Sequence, residues 1–422
     1  MKTSHLILTL LTPIMAFADH PNEGSLGLRE LLAESRAKNP ALQSASLRNE
    51  ASEADYSAAR AALRPKVSLE GGPVQIRSKG GTTAGTALYG KAEWNLYRGG
   101  ADSAAIQKAR LQTEISKVEL RLAEARLARE VATSYYEILY LLESETLLTR
   151  ALEMNLAQSK LAKTKRSAGF TGETDVLEFE LREATIKSDL KRLEKERTSQ
   201  LRDLARLLGR PLEAQLPTVH GHLARPAKPL QKEALTDALD SNPEIVRAKA
   251  EHEGRVLDLK TAVSSFLPTV DLEGRYGKLA DEDAVSKKSN DYHLALKVNV
   301  PIFAAGENTS NLRSARAQSA RSEIETERLR DRIRREAQDL LEEAQSLRER
   351  LALEERNLER SESYYKLSLN EYKRGIKNSP DVVGASERLL ETKLRNLEFR
   401  RDIALNRLKV QEIQGSMEIP AD

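Results

Sequence analysis

Two stretches of the chain, 101–168 and 307–374, each read as a single helix of 68 residues. Each begins after a glycine, Gly100 or Gly306, and each ends at a glycine-containing turn, 169–174 or 375–380. The opening Gly, the turn Gly (Gly169, Gly375) and an Asp beyond it (Asp175, Asp381) recur at an offset of 206. Globular helices average about three turns. A helix of this length spans roughly 100 Å at 1.5 Å per residue, so it must pack along other long helices.

The apolar spacing agrees. Leu111, Ile115, Val118, Leu122 and Ala125 follow a 4-3-4-3 pattern, which continues past a skip at Arg129 through Ala132, Tyr136 and Leu139. In the second stretch Ile333, Ala337, Leu340, Ala344, Leu347 and Leu351 keep that spacing, and Leu358, Tyr365 and Tyr372 follow at sevens. This is a heptad seam with Glu, Arg and Lys on its outer faces. Alone it means a structural coiled coil. The chain is 31% charged and only 4% aromatic, which suits long helices and argues against a large globular core. Net charge is +3, and no basic block points to nucleic acid or a membrane surface.

Residues 1–18 read as an export signal: Lys2, an apolar run over 6–17, and the small-x-small site Ala16-Phe17-Ala18, with cleavage expected after Ala18. There is no cysteine, which excludes disulfides, thiolate metal sites and an N-terminal lipid-anchored Cys. After the signal no run of 18 apolar residues follows, so no bilayer-crossing helix is expected. An exported chain of this kind is periplasmic, secreted, or part of an outer membrane β-barrel.

The remainder is one unit written twice: a first repeat at 19–209, a linker at 210–230 and a second repeat at 231–422. In the first, a short helix over 26–38 precedes Asn39-Pro40, which opens a helix to about residue 63. Its Ala51, Ala54, Ala58 and Ala61 line one face suited to close packing. A β-hairpin over 66–97 follows, with a long tip at 78–85 and Leu88, Gly90, Ala92, Trp94 and Leu96 on one parity. Beyond the first turn a helix over 175–208 is capped by Gly209. The linker holds four prolines and is expected to contain no element. His220 and His222 lie on it without a third ligand, so no metal is expected there. Asn242-Pro243 and Leu267-Pro268 repeat the earlier breaks at an offset of 203. A second hairpin spans 269–303 with its loop at 278–290, and a returning helix runs from 381 to about 414.

Two strands per repeat are marginal alone, and four per chain cannot close a barrel. Three chains supply twelve strands, each about the length a tilted membrane strand needs. Trp94, Tyr97, Tyr276, Tyr292 and Phe303 fall where an aromatic girdle would sit. The helix before each hairpin and the one after each turn sum to nearly the long helix. Stacked end to end, they would run antiparallel beside it.

The motifs Leu96-Tyr-Arg-Gly-Gly100 and Pro301-Ile-Phe-Ala-Ala-Gly306 resemble the strand-to-helix junctions of TolC-type outer membrane efflux proteins. The segments from Gly169 to Leu177 and from Tyr372 to Val383 resemble that family's two periplasmic tips. The resemblance covers essentially all of the mature chain. It implies a mainly α fold with β-barrel strands: a homotrimer with an α-helical barrel and a 12-stranded outer membrane barrel. It further implies a passive exit duct for efflux or type I secretion, partnered by a periplasmic adaptor, an inner-membrane pump and outer membrane lipid. Gly169, Gly172 and Gly375 would belong to the adaptor-docking tips. Thr174, Asp175, Tyr372 and Lys377 would form a polar gate, in which Lys377 can pair with Asp175 and Tyr372 can donate to it. Asp381 would contribute to a carboxylate ring favouring cations. Gly384 stands where the best-matched tip carries a second Asp, which points to weaker selectivity.

No cofactor is expected. No Ser/His/Asp cluster, phosphate-binding glycine loop or carboxylate–His metal spacing suggests an enzyme. The competing reading is a soluble periplasmic coiled-coil scaffold or adaptor. An adaptor would carry a lipoyl-like all-β domain between its helices, and none is legible. The sequence does not name the cargo.

Overall fold

The computed structural model describes residues 25–78, 81–211, 213–224, 241–278 and 290–415. The expected export signal, most of the second hairpin loop and part of the linker lie outside the described residues. The elements are β1 (Ser25–Leu26), α1 (Leu28–Lys38), α2 (Pro40–Ala61), β2 (Lys66–Ser78), β3 (Gly81–Arg98), α3 (Ala101–Ser167) and α4 (Glu173–Leu207). Then follow β4 (Thr218–Val219), α5 (Pro243–Ser264), β5 (Thr269–Lys278), β6 (Asp291–Asn299), α6 (Glu307–Lys373) and α7 (Ser379–Gln414).

The long helices α3 and α6 have 67 residues each. Both end in a left-handed glycine, Gly169 at φ 78° and Gly375 at φ 81°. In each case two amides turn back onto the last carbonyls. Gly169 and Phe170 donate to Arg166 and Lys165; Gly375 and Ile376 donate to Tyr372 and Glu371. These are Schellman closures, which occupy carbonyls that the helix leaves free.

α3 packs against α2 and α4 on one side and α5 and α7 on the other, while α6 packs against α5 and α7. The protomer is therefore four columns of helix, two continuous and two spliced. In α6 the expected seam is buried from Ile333 through Leu351, as are Tyr365 and Tyr372. In α3 the seam holds at Ile115, Val118, Leu122, Ala132 and Leu139, but Tyr135 is buried where Tyr136 was expected. Neighbours on both sides, plus α1 at mid-length, widen the buried stripe there. Tyr136 instead meets the Tyr135 ring edge-on at 5.4 Å.

Each splice is made by an Asn-Pro pair. The Asn39 Oδ1 accepts from the amides of Ala41 and Leu42, capping α2, while its Nδ2 donates to the Leu207 carbonyl at the end of α4. Asn242 does the same for α5 and the Ile413 carbonyl of α7. One side chain thus satisfies orphan groups of two helix ends. The Arg210 guanidinium clasps Glu34 across the first joint at 3.0 and 2.7 Å.

Three sequence-based expectations are corrected. Ala51, Ala54, Ala58 and Ala61 are exposed; α2 instead turns Ser52 toward α3, where its carbonyl accepts from Thr113. The 210–230 linker contains β4, which pairs in parallel with β1, and Tyr135 Oη donates to the His220 carbonyl beside it. The first hairpin has no long tip. Its ladder continues through Val74↔Gly85 and Arg77↔Thr82 to Ser78↔Gly81, because Thr favours the pleat and the ladder satisfies both backbones. Residues 79–80 at its end lie outside the described residues.

Candidate functional site

The four hairpin strands form one antiparallel sheet in the order β2-β3-β5-β6, so the two hairpins join through β3 and β5. Register gives its two faces opposite chemistry. Ser68, Lys91, Arg275 and His293 align across the four strands on one face; on the other, Trp94, Leu272 and Leu296 align across three. The polar face carries Glu70, which accepts from Tyr89 Oη at 2.9 Å, and Lys91, which pairs with Glu93 at 2.6 Å. Glu273 is buried there between Arg275 and Lys297.

The opposite face is apolar, and none of the described residues covers it. Val67, Leu69, Leu294, Leu296 and Val298 are between 60% and 79% exposed. A bulge between Asn95 and Tyr97 skips Leu96 and keeps Tyr97 on the apolar face opposite Val270. The expected parity of Leu96 is corrected to that extent. The aromatics lie in two groups. Trp94 and Tyr97 sit at the helical end of the sheet, and Phe303 follows β6 there; Tyr276 pairs with Tyr292 near the far end. Trp94 Nε1 also donates to the Leu63 carbonyl, tying the strand to the end of α2.

Roughly 100 Å away, the two turns meet over a four-helix core of Ala162, Val176, Phe179, Tyr365, Tyr372, Val382 and Leu389. Here the structure rearranges the expected pairs. Lys377 does not reach Asp175 within the protomer. It pairs with Glu371 at 3.0 Å and donates to Ser368 at 3.1 Å, and the Glu371 hydrogen bond raises its pKa above the ordinary lysine value. Asp175 Oδ1 instead accepts from the Ser379 hydroxyl at 2.5 Å and the Ser379 amide at 3.3 Å. Tyr372 is buried against Phe179, and its hydroxyl has no hydrogen-bond partner among the described residues. Burial first, and then the Asp175 charge, push that hydroxyl above its usual pKa.

The two Asp residues are not N-caps. Gly172 and Asn378 hold those positions, and each Asp is the third helical residue. Asp381 reaches back to the Asn378 amide at 3.3 Å, a local capping contact. Asp175 reaches the other repeat. Thr174 and Gly172 are exposed beside it.

Sequence reasoning missed Lys165 and Ser379. Lys165 donates to the Tyr372 carbonyl and lies 4.3 Å from the centre of its ring. One turn thus places a cation at the C-terminus of α6 and a carboxylate at the N-terminus of α7, complementing both helix dipoles. A Lys in the last turn of α3 and a Ser opening α7 were the available signals. Among the described residues no helix is long and apolar enough to cross a membrane, and no group of metal-binding side chains occurs.

A one-sided strand patch on long spliced helices, built twice and ending in paired turns, defines an architectural class. The outer membrane protein VceC from Vibrio cholerae shares it, with a TM-score of 0.82 at 18% identity over 92% of this chain and 96% of that one. The family model "Outer membrane efflux protein" matches residues 31–210 and 234–416, and the chain belongs to that family. Among relatives, CyaE of Bordetella pertussis is 26% identical over 308 residues, covering 71% of this chain and 65% of CyaE, so the chain spans just under two thirds of that relative. The probable efflux pump outer membrane protein TtgC of Pseudomonas putida is 24% identical over 391 residues, covering 86% of this chain and 77% of TtgC. Family membership places the protein in the outer membrane, with its helices on the periplasmic side.

Proposed function

We propose that the protein is the passive exit duct of an efflux pump or type I secretion system and works as a homotrimer. The observation carrying this reading is the four-stranded sheet with one bare apolar face, one charged face and two open edges. Lipid has no groups to satisfy those edges, so the strands must close onto further copies. Three copies give twelve strands and twelve helical columns. The charged face then lines the lumen, and the apolar face meets lipid between the two aromatic groups. That bare face also weighs against a soluble scaffold. Membrane fractionation and cross-linking test the reading: an outer membrane trimer is expected, and a monomer in periplasmic extract would overturn it.

The turns around Gly169, Gly172 and Gly375 are assigned to docking of a periplasmic adaptor, which connects the duct to an inner-membrane pump. A Cβ on Gly169 or Gly375 meets open space, but both residues hold positive φ. Replacement of both by Val is expected to cost more than ~1 kcal/mol per turn and to impair export. Trimers should remain in the outer membrane; normal export by the double variant would refute the docking role.

Thr174, Asp175, Tyr372 and Lys377 are assigned to a gate at the same end, with Asp381 lining the mouth. The Asp175–Ser379 link between repeats and the Lys377–Glu371 pair support this assignment. In a planar bilayer, Tyr372→Phe with Lys377→Ser is expected to raise single-channel conductance, mainly through Lys377 because the Tyr372 hydroxyl is unpaired. Asp381→Asn is expected to lower cation preference. Parental conductance and selectivity in assembled trimers would end the gate assignment.

A further inference from the structure

The two Asn-Pro splices carry opposite charge. At the repeat offsets of 203 (α2 to α5) and 206 (α4 to α7), Ala41, Arg48 and Arg206 of the first splice stand where the second has Glu244, Glu251 and Glu412. The arginines flanking a splice do not change with it. Arg126 and Arg129 of α3 correspond, at 206, to Arg332 and Arg335 of α6.

At the second splice these charges match. Arg126 pairs with Glu244 and Arg129 with Glu412, each at 3.1 Å. At the first splice they do not. Arg206 is exposed and meets no carboxylate among the described residues, and Arg48 only approaches Glu119, at 3.8 Å. With Arg126 and Arg247 they line a hollow of about 470 Å³ whose acidic members are Glu119 and Glu130. Arg335, on α6, is also exposed and meets no carboxylate among the described residues.

The α2–α4 column forms one edge of the protomer and α6 forms the other. In a ring of copies, α6 of one meets the α2–α4 column of the next. The repeat makes that boundary the counterpart of the contact between α3 and the α5–α7 column inside each chain. The Arg129–Glu412 pair then maps onto Arg335 of one copy and Arg206 of the next, and Arg126–Glu244 maps onto Arg332 and Ala41. Guanidinium groups face each other where a carboxylate is missing. Like charges so placed repel unless an anion lies between them.

We infer that each subunit boundary holds a small polyanion, bound through phosphate or carboxylate oxygens by Arg48 and Arg206 of one copy and Arg332 and Arg335 of the next. The inference rests on the trimer proposed above, and the site is incomplete without the second copy. The planar guanidinium fork suits such oxygens and engages them in pairs. Ser116, Ala123 and Glu130, seven apart on α3, wall the hollow, whereas α1 covers Ala128, Val131 and Tyr135. Three copies of α1 on the inner side would obstruct a duct, so the hollow faces the bore. The anion thus sits on the cargo's path, roughly 40 Å from the sheet.

The full-length trimer, purified from membranes in detergent, tests this by calorimetric titration with tripolyphosphate at about 50 mM salt. Saturable binding of one anion per boundary is expected, and the temperature at which trimers dissociate should rise with occupancy. Arg206→Glu gives the first splice the charge that Glu412 gives the second. It should weaken binding at least about tenfold and make trimer dissociation insensitive to the anion. Ala41→Glu keeps every arginine and should also weaken binding, so it decides the matter if Arg206→Glu does not assemble. Lys191→Glu/Lys195→Glu changes charge roughly 20 Å farther along α4, beyond a Debye length, and should bind as the parent does. No saturable binding, parental binding in Arg206→Glu and Ala41→Glu, or equal loss in the lysine variant would each overturn the proposal. Those outcomes in an intact outer membrane trimer leave the duct reading standing, whereas failure to find a trimer removes the duct reading itself.

Discussion

Leu296→Arg is expected to cut the amount of protein folded in the outer membrane severalfold, while Ala295→Arg leaves it near the parental level. The two positions are neighbours in β6 and receive the same charge, so the contrast isolates the face. Leu296 lies opposite Leu272 on the bare apolar side, and Ala295 lies opposite Glu273 on the charged side. An Arg at the middle of a lipid-facing strand costs about 2–4 kcal/mol and less toward the interfaces. Along β6, Leu296 lies between Tyr292 and Phe303, so the larger cost applies. On the other face the new guanidinium finds Glu273. Outer membrane yield measured by heat-modifiable gel mobility checks both; equal yields would show that this face does not meet lipid.

The sequence made the long helices legible to within a residue, because glycine marks each end and the heptad spacing persists. The seam of α6 was read correctly, since one side of that helix packs. The buried side of α3 was read less well: a helix packed on two sides has no single stripe to find. Alternation revealed the strands, but a run of Thr and Gly at the first tip looked like loop until pairing showed it to be strand. The two-residue strands β1 and β4 left no periodic trace, and their pairing spans most of a repeat. At the turns the relevant residues clustered as expected, but their partners did not follow. Asp175 meets Ser379 and Lys377 meets Glu371 because side-chain reach across two repeats depends on helix phase, which spacing alone leaves open. Asn39 and Asn242 were legible as helix starts; the far carbonyls they also serve were not.

Those splices carry the second large effect. Gly209→Ala is expected to destabilise the folded chain by about 2–5 kcal/mol. Gly209 has φ 70°, and a Cβ there would lie 2.5 Å from the Lys38 carbonyl oxygen. Left-handed backbone costs a residue with a Cβ about 1–2 kcal/mol, and displacing a backbone carbonyl adds an overpacking cost of about 1–3 kcal/mol. Arg210 and Asn39 anchor the same joint, so movement there strains both. Gly254, inside α5, is the control: a Cβ there meets nothing within 4 Å, and Gly254→Ala is expected to be neutral or stabilising by up to about 1 kcal/mol. Thermal loss of the helical circular dichroism signal should shift down by roughly 4 °C or more for Gly209→Ala and should not shift down for Gly254→Ala. A parental midpoint for Gly209→Ala would mean that the joint is looser than its geometry implies.

The sheet ends in β2 and β6, whose outer edges are unpaired among the described residues, and this has a genetic consequence. In a homotrimer every edge is completed by another copy, so one faulty chain spoils a ring that also contains sound chains. A mutation that breaks an edge but spares the helices would therefore act dominantly. With sound and faulty copies made in equal amounts and mixed at random, only about one trimer in eight escapes the faulty chain. A mutation that prevents the helices from folding would act recessively, because its product never joins a ring.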